Sequence, residues 1–153
     1  MATKTVADLL QAWRAAERRW ELPGTSGDVR AAAMEVIRAW AEYQNAALPT
    51  DTTEFMLVAD DDGRYVAATE GVARVLGHDP QELIGRAIAD IAAPDLADQT
   101  PQEWAKFLAD GRQEGIYRLR GASGSIVALR YQARAHHPIP GYHVSRLWPV
   151  VSD

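Results

Sequence analysis

Apolar residues in the first fifty positions recur at spacings of three and four. Val6, Leu9, Leu10, Trp13, Ala16 and Trp20 fall on one helical face. Val29, Ala33, Val36, Ile37, Trp40 and Tyr43 form a second such stripe. Thr5-Val6-Ala7-Asp8 offers a capping box ahead of the first run, and Leu22–Gly27, with Pro23 beside Gly24, breaks it. The second helix is predicted to start near Ser26 or Asp28 and run to about Ala47. Leu48-Pro49-Thr50-Asp51 then ends it. Residues 1–50 therefore read as an N-terminal helical extension, an α-hairpin.

Beyond residue 50 the period shortens to two. Phe55–Asp60 and Tyr65–Thr69 read as strands joined at Asp62-Gly63, a turn pair that tolerates positive φ. Gly77 stops a short helix carrying Val72, Val75 and Leu76. Asp79-Pro80-Gln81-Glu82 starts another, with Asp79 as N-cap, Pro80 at N1 and Glu82 reaching back. Ile88–Ile91 fits one helical turn. Thr100-Pro101-Gln102-Glu103 opens a longer helix through Trp104, Phe107 and Leu108, with Thr100 as cap and a stop near Gly111. Three strands follow, about Gly115–Arg120, Ser125–Ala135 and Tyr142–Val151, joined by Gly121–Gly124 and Pro138–Gly141. Their alternation puts Tyr117, Leu119, Val127, Leu129, Tyr131, Ala133 and Leu147 on an inward face. Arg118, Arg120, Arg130, Arg134 and Arg146 take the other, with Ile116, Ile126, Val144 and Trp148.

The ordered set from Asp60 to Ile88 contains a DxxG turn, a strand, a short helix ending in Leu-Gly, and GHDPQELIG over 77–85. With the three later strands it resembles the PAS family of sensory domains over residues 53 to 151. The resemblance implies an α+β fold: a five-stranded antiparallel sheet with flanking short helices, as a PAS domain over 51–153. Members of that family commonly carry Asn just after the second strand, where this chain has Thr69. A Thr hydroxyl can also cap a helix, but ligand contacts made by that Asn in relatives do not carry over.

Composition narrows the chemistry. Nearly half the residues are apolar, enough for a core, and no apolar run approaches the ~18 residues of a membrane span. The start of the chain lacks the basic and apolar regions of a secretory signal, so the cytoplasm is the expected compartment. Residues 1–50 carry six basic and six acidic side chains, and the remainder 10 basic against 15 acidic, which holds the whole net charge of −5. Neither part is a basic footprint, which argues against nucleic-acid binding.

The absence of cysteine excludes disulfides, thiolate metal sites and cysteine nucleophiles. Within the resemblance it also removes the cysteine-dependent flavin photochemistry of the light-oxygen-voltage branch and the thioester chromophore of the photoactive yellow protein branch. Haem-binding members usually place the ligand His on the helix before the third strand, and 101–111 contains none. Haem and covalent flavin are thus disfavoured, and a noncovalent small molecule stays open.

The histidines are His78, His136, His137 and His143. His136 and His137 end one strand and His143 begins the next, so two can meet, as metal ligands or as a solvated loop pair. His78 reads as a surface or capping residue. Asp60–Gly63 misses the calcium-loop register because Val58 takes its first ligand position. Gly121–Gly124 lacks a phosphate-cradling ending, and no Gly-x-Ser-x-Gly, His-Glu-x-x-His or paired-carboxylate pattern occurs.

The expected role is a sensory or regulatory module, not an enzyme, binding a small molecule or a protein partner and relaying through a homodimer. Thr69, Trp104, Phe107, Tyr117, Leu129 and Tyr131 are the candidate ligand-binding residues; the competing reading is that all six fill a solid core. Trp13, Trp20 and Trp40 have two compatible readings, packing within the hairpin or onto the sheet, and anchoring a dimer interface. One rival is a cyclase- or isomerase-like enzyme on a cone-shaped α+β fold. It needs an acid–base pair, and no Asp–His pair is placed on the inward face. A ligand-free dimerisation module is the other. No output module is encoded, so the chain reads as a stand-alone protein or a piece of a longer regulator.

Overall fold

A computed structural model of the chain describes residues 5–21, 29–48, 52–137, 139 and 141–150. These fall into two compact units, Met1–Thr50 and Asp51–Asp153. The expected break at Leu22–Gly27, the Pro49–Asp51 link, Pro138 and Val151 lie outside the described residues.

The first unit holds α1 (Val6–Glu21) and α2 (Val29–Ala47). The capping box forms with Asp8 in the glutamate position: Thr5 N–H donates to Asp8 Oδ2 at 3.0 Å, and Asp8 N–H donates to Thr5 Oγ1 at 3.1 Å. The centres of both apolar stripes are buried: Leu9, Trp13 and Ala16 on α1, and Ala33, Val36, Ile37 and Trp40 on α2, while Val6 at the start of α1 is exposed. Trp13 is 8 % and Trp40 2 % exposed, and the Trp13 and Tyr43 rings meet at 5.5 Å between centroids. Trp13 therefore packs against α2 within this unit. Trp20 lies in α1, with its side chain outside the described residues.

The second unit is one sheet with helices on a single face. Its strands are β1 (Phe55–Asp60), β2 (Tyr65–Ala68), β3 (Arg112–Arg120), β4 (Ile126–Arg134) and β5 (Tyr142–Pro149). Their order is β2-β1-β5-β4-β3, with every neighbouring pair antiparallel. Between β2 and β3 run α3 (Gly71–Leu76), α4 (Pro80–Leu83), α5 (Ile88–Ile91), α6 (Pro94–Ala97) and α7 (Thr100–Asp110). The core joins inward residues of the central strands, Phe55, Leu57, Leu129 and Leu147, to Val72, Leu83 and Ile91 of the short helices. Burying each such side chain contributes about 1.5–3 kcal/mol. Among the described residues no helix is long and apolar enough to cross a membrane.

Local chemistry explains the boundaries. Gly77 and Gly111 end α3 and α7 in the left-handed region, at φ 75° and 82°, each N–H returning to a helical carbonyl. Asp79 caps α4 by accepting from Gln81 N–H at 2.9 Å. The β1–β2 turn differs from the expected two-residue form. Gly63 N–H closes on Asp60 O at 3.0 Å, so Asp61 and Asp62 are the central pair and Gly63, at φ 75°, follows them. Asp60 Oδ1 stabilises this longer loop by accepting from Asp62 N–H at 2.9 Å and Arg64 N–H at 3.1 Å. Thr100 is likewise not a cap. It is the first residue of α7, and Gln99 precedes it as N-cap.

Candidate functional site

Helix α7 stands off the inward face of the sheet, and a half-open cavity of about 90 Å³ lies between them. One water needs about 10–15 Å³ of such space, so the cavity accommodates more than a single solvent molecule. Trp104 and Phe107, one helical turn apart, form its helix-side wall with Glu103. Tyr117 from β3, Tyr131 and Ala133 from β4, and His143, Ser145 and Leu147 from β5 form the sheet-side wall. Tyr65 of β2 and Ile88 of α5 also line it.

The aromatic rings support one another. Trp104 lies 5.3 Å from Phe107 and 5.4 Å from His143 between centroids, and Tyr117 meets Tyr131 edge-on at 6.2 Å. Trp104 is also tethered, its Nε1–H donating to Asp61 O at 3.1 Å. Thr100 donates its hydroxyl to Leu96 O at 3.1 Å, so at the 3.0 Å contact between Thr100 Oγ1 and the Tyr117 hydroxyl the tyrosine is the donor. Burial raises the Tyr65, Tyr117 and Tyr131 hydroxyls above the ordinary tyrosine value. Asp90 adds to the effect on Tyr65, and Glu103 to that on Tyr117 and Tyr131. All three stay protonated at neutral pH.

His143 is buried at 2 % exposure and corrects the sequence reading, which placed no Asp–His pair on the inward face. Its Nε2 lies 2.8 Å from Asp61 Oδ1, and its Nδ1 accepts His136 N–H at 2.9 Å. A backbone N–H on Nδ1 puts the ring proton on Nε2, so His143 donates to Asp61 as a neutral imidazole. Burial holds its pKa below the ordinary value, against the pull of Asp61.

His136 is fixed in the same way, since its Nδ1 accepts Gly141 N–H at 2.9 Å. Asp61, His136 and His143 bring ligand-type atoms within 4.8 Å of one another, the residue types of a metal site. A metal-bound imidazole normally donates its second nitrogen's proton outward. Here both Nδ1 atoms are acceptors, so the cluster is a hydrogen-bond chain, and metal binding would require breaking two backbone bonds.

Four of the six ligand-binding candidates, Trp104, Phe107, Tyr117 and Tyr131, line this cavity. Thr69 and Leu129 do not. Leu129 is wholly buried in the core, and Thr69 braces strands: its Oγ1 accepts Met56 N–H at 2.9 Å, and its own N–H donates to Met56 O at 3.0 Å. Tyr65, Glu103 and His143 were missed. His143 shares the parity of Leu147 on β5, a signal present in the sequence, whereas its Asp61 partner comes from a turn 82 residues away. His78 serves as a surface link, its Nε2 2.9 Å from Arg120 O.

Comparison with known proteins places this architecture. A family model for the PAS fold matches residues 65–141. No curated protein matches the chain. Among solved structures, the PAS domain of an HTR-like protein from Haloarcula marismortui aligns with a TM-score of 0.61 at 16% identity, covering 79% of this chain and 100% of that one. The PAS domain of the Cronobacter turicensis RpfR quorum-sensing receptor, in complex with BDSF, aligns at 0.57 with 13% identity, over 68% and 100% of the two chains. Drosophila melanogaster Cycle PAS-B with bound ethylene glycol aligns at 0.55 with 17% identity, over 63% and 99%. The sheet order, the run of short helices and a family match over half of the chain agree, and the chain belongs to the PAS family.

Proposed function

We propose that this protein is a sensory PAS module that binds a small molecule between α7 and the sheet and relays its presence through association with a second copy or a signalling partner. The cavity carries the reading, because aromatic walls with a few convergent polar groups are the usual make-up of a small-molecule site. The solved relatives bound to BDSF and to ethylene glycol support it by analogy of fold. Ile116 and Ile126, 57 % and 45 % exposed on the outward side of β3 and β4, offer apolar area for association.

The enzyme alternative gains an Asp–His pair but loses its chemistry. With Nδ1 occupied by a backbone N–H and the Nε2 proton donated to Asp61, the His143 ring keeps no lone pair for a substrate proton. Native mass spectrometry of the gently purified protein tests the proposal. A small-molecule adduct that disappears in Ala133→Leu, which fills the cavity, is the expected result. An adduct of equal occupancy in that variant would place the ligand elsewhere.

A further inference from the structure

The charges around the cavity point to the class of molecule it holds. Of the described residues that line it, none is Lys or Arg, and Glu103 is its one carboxylate. The arginines of β3, β4 and β5 fall on the opposite parity, and the two that reach around to the helices are taken up there, Arg118 by the Asp95 carboxylate and Arg120 by the Asp90 carbonyl. Beyond burial, Glu103 and Asp90 are carboxylates that help raise the tyrosine hydroxyls, and Asp61 accepts the His143 proton. An anionic ligand would enter without a counter-charge and against existing carboxylates, which is costly in a partly desolvated site. The lining is also rich in electron-dense rings: Trp104, Phe107, Tyr65, Tyr117 and Tyr131. Aromatic side chains collected around a space with a carboxylate beside it suit a cation, whose charge is attracted by the ring quadrupoles. At about 90 Å³ the space is smaller than the roughly 150 Å³ that accepts a benzene ring, so the buried part of the ligand has only a few heavy atoms.

Resting on the reading of this cavity as a ligand site, we propose that its ligand is a small soluble organic cation, an amine or quaternary ammonium. The cation sits among the rings of Trp104, Tyr117 and Tyr131, and Glu103 supplies the counter-charge. Binding forms no covalent bond and moves no proton. His143 stays a neutral wall, its ring proton held by Asp61.

Calorimetric titration of the full chain with choline and with 3,3-dimethyl-1-butanol, its neutral isostere, tests this. Choline is expected to bind at least about tenfold more tightly, as a cation–aromatic contact with a nearby carboxylate provides. Glu103→Gln, at an exposed position, is expected to weaken choline about fivefold or more and leave the alcohol unchanged, and added salt should weaken choline alone. Equal or tighter binding of the alcohol would overturn the cation assignment while leaving the cavity as a neutral-ligand site. Binding of neither compound would overturn it too. A short trimethyllysine peptide carries the same head group, and its binding more tightly than choline would replace the small solute with a peptide ligand.

Discussion

Asp61 joins three parts of the molecule through two of its oxygens. Its carbonyl takes the Trp104 indole proton at 3.1 Å, and its carboxylate takes the His143 proton at 2.8 Å. Asp61→Ala keeps the first bond and leaves the buried His143 N–H without an acceptor, a loss expected to cost about 1–3 kcal/mol in urea unfolding. His143 itself gives stability a pH dependence. Its folded pKa lies below the ordinary histidine value near 6.5, so as pH falls the unfolded chain takes up the proton first. Stability is full above about pH 6.5 and declines as pH drops from there toward the lowered folded value. Urea midpoints at pH 7.5 and 5.5 should show this decline in the wild type and a smaller one in His143→Gln. Equal declines would place the effect on other groups.

At the scale of elements, local signals and tertiary contacts divide the explanation. Gly77, Gly111 and Asp79 act where their sequence neighbours place them, because αL stops and N-caps need only nearby backbone. Thr100 looks identical to a cap in sequence, yet its hydroxyl turns back to Leu96 O and meets Tyr117, a partner that only the packed sheet supplies. Helix α6 carries no comparable signal, because Ala93 ahead of Pro94 has no side chain to cap it, whereas Asp79 caps the equally short α4. Gly71 is similar: nothing local requires it, but a Cβ there would stand 2.3 Å from Glu54 O of the neighbouring chain segment. Gly71→Ala is therefore expected to lower stability by about 1–3 kcal/mol through backbone displacement, read from chemical unfolding. In the first unit, Trp40→Ala empties a nearly fully buried site and should cost that hairpin about 3–5 kcal/mol, visible as loss of helical circular dichroism on mild heating. An unchanged melt would mean the ring is not a packing group.

For the molecule as a whole, the sequence pattern was sufficient to assign the sheet, its inward face and the family, because strand alternation and turn residues are short-range. The cavity was half legible. Trp104, Phe107, Tyr117 and Tyr131 follow from helical spacing and strand parity, and His143 shares the parity of Leu147, while its partner Asp61 reaches it only through the fold, from a turn 82 residues away. Whether inward residues fill space or surround it is a question of volume, and no periodicity encodes volume. Thr69 and Leu129 ended in solid packing for that reason. The most direct test is a set of thermal melts of the wild type and Ala133→Leu across a panel of small soluble metabolites. At saturation a bound ligand contributes about 2–4 kcal/mol, which raises the midpoint of a domain this size by roughly 8 °C or more. The account predicts such a rise for at least one compound in the wild type and its loss in Ala133→Leu. A rise of equal size in both proteins, or none across the panel, would contradict it.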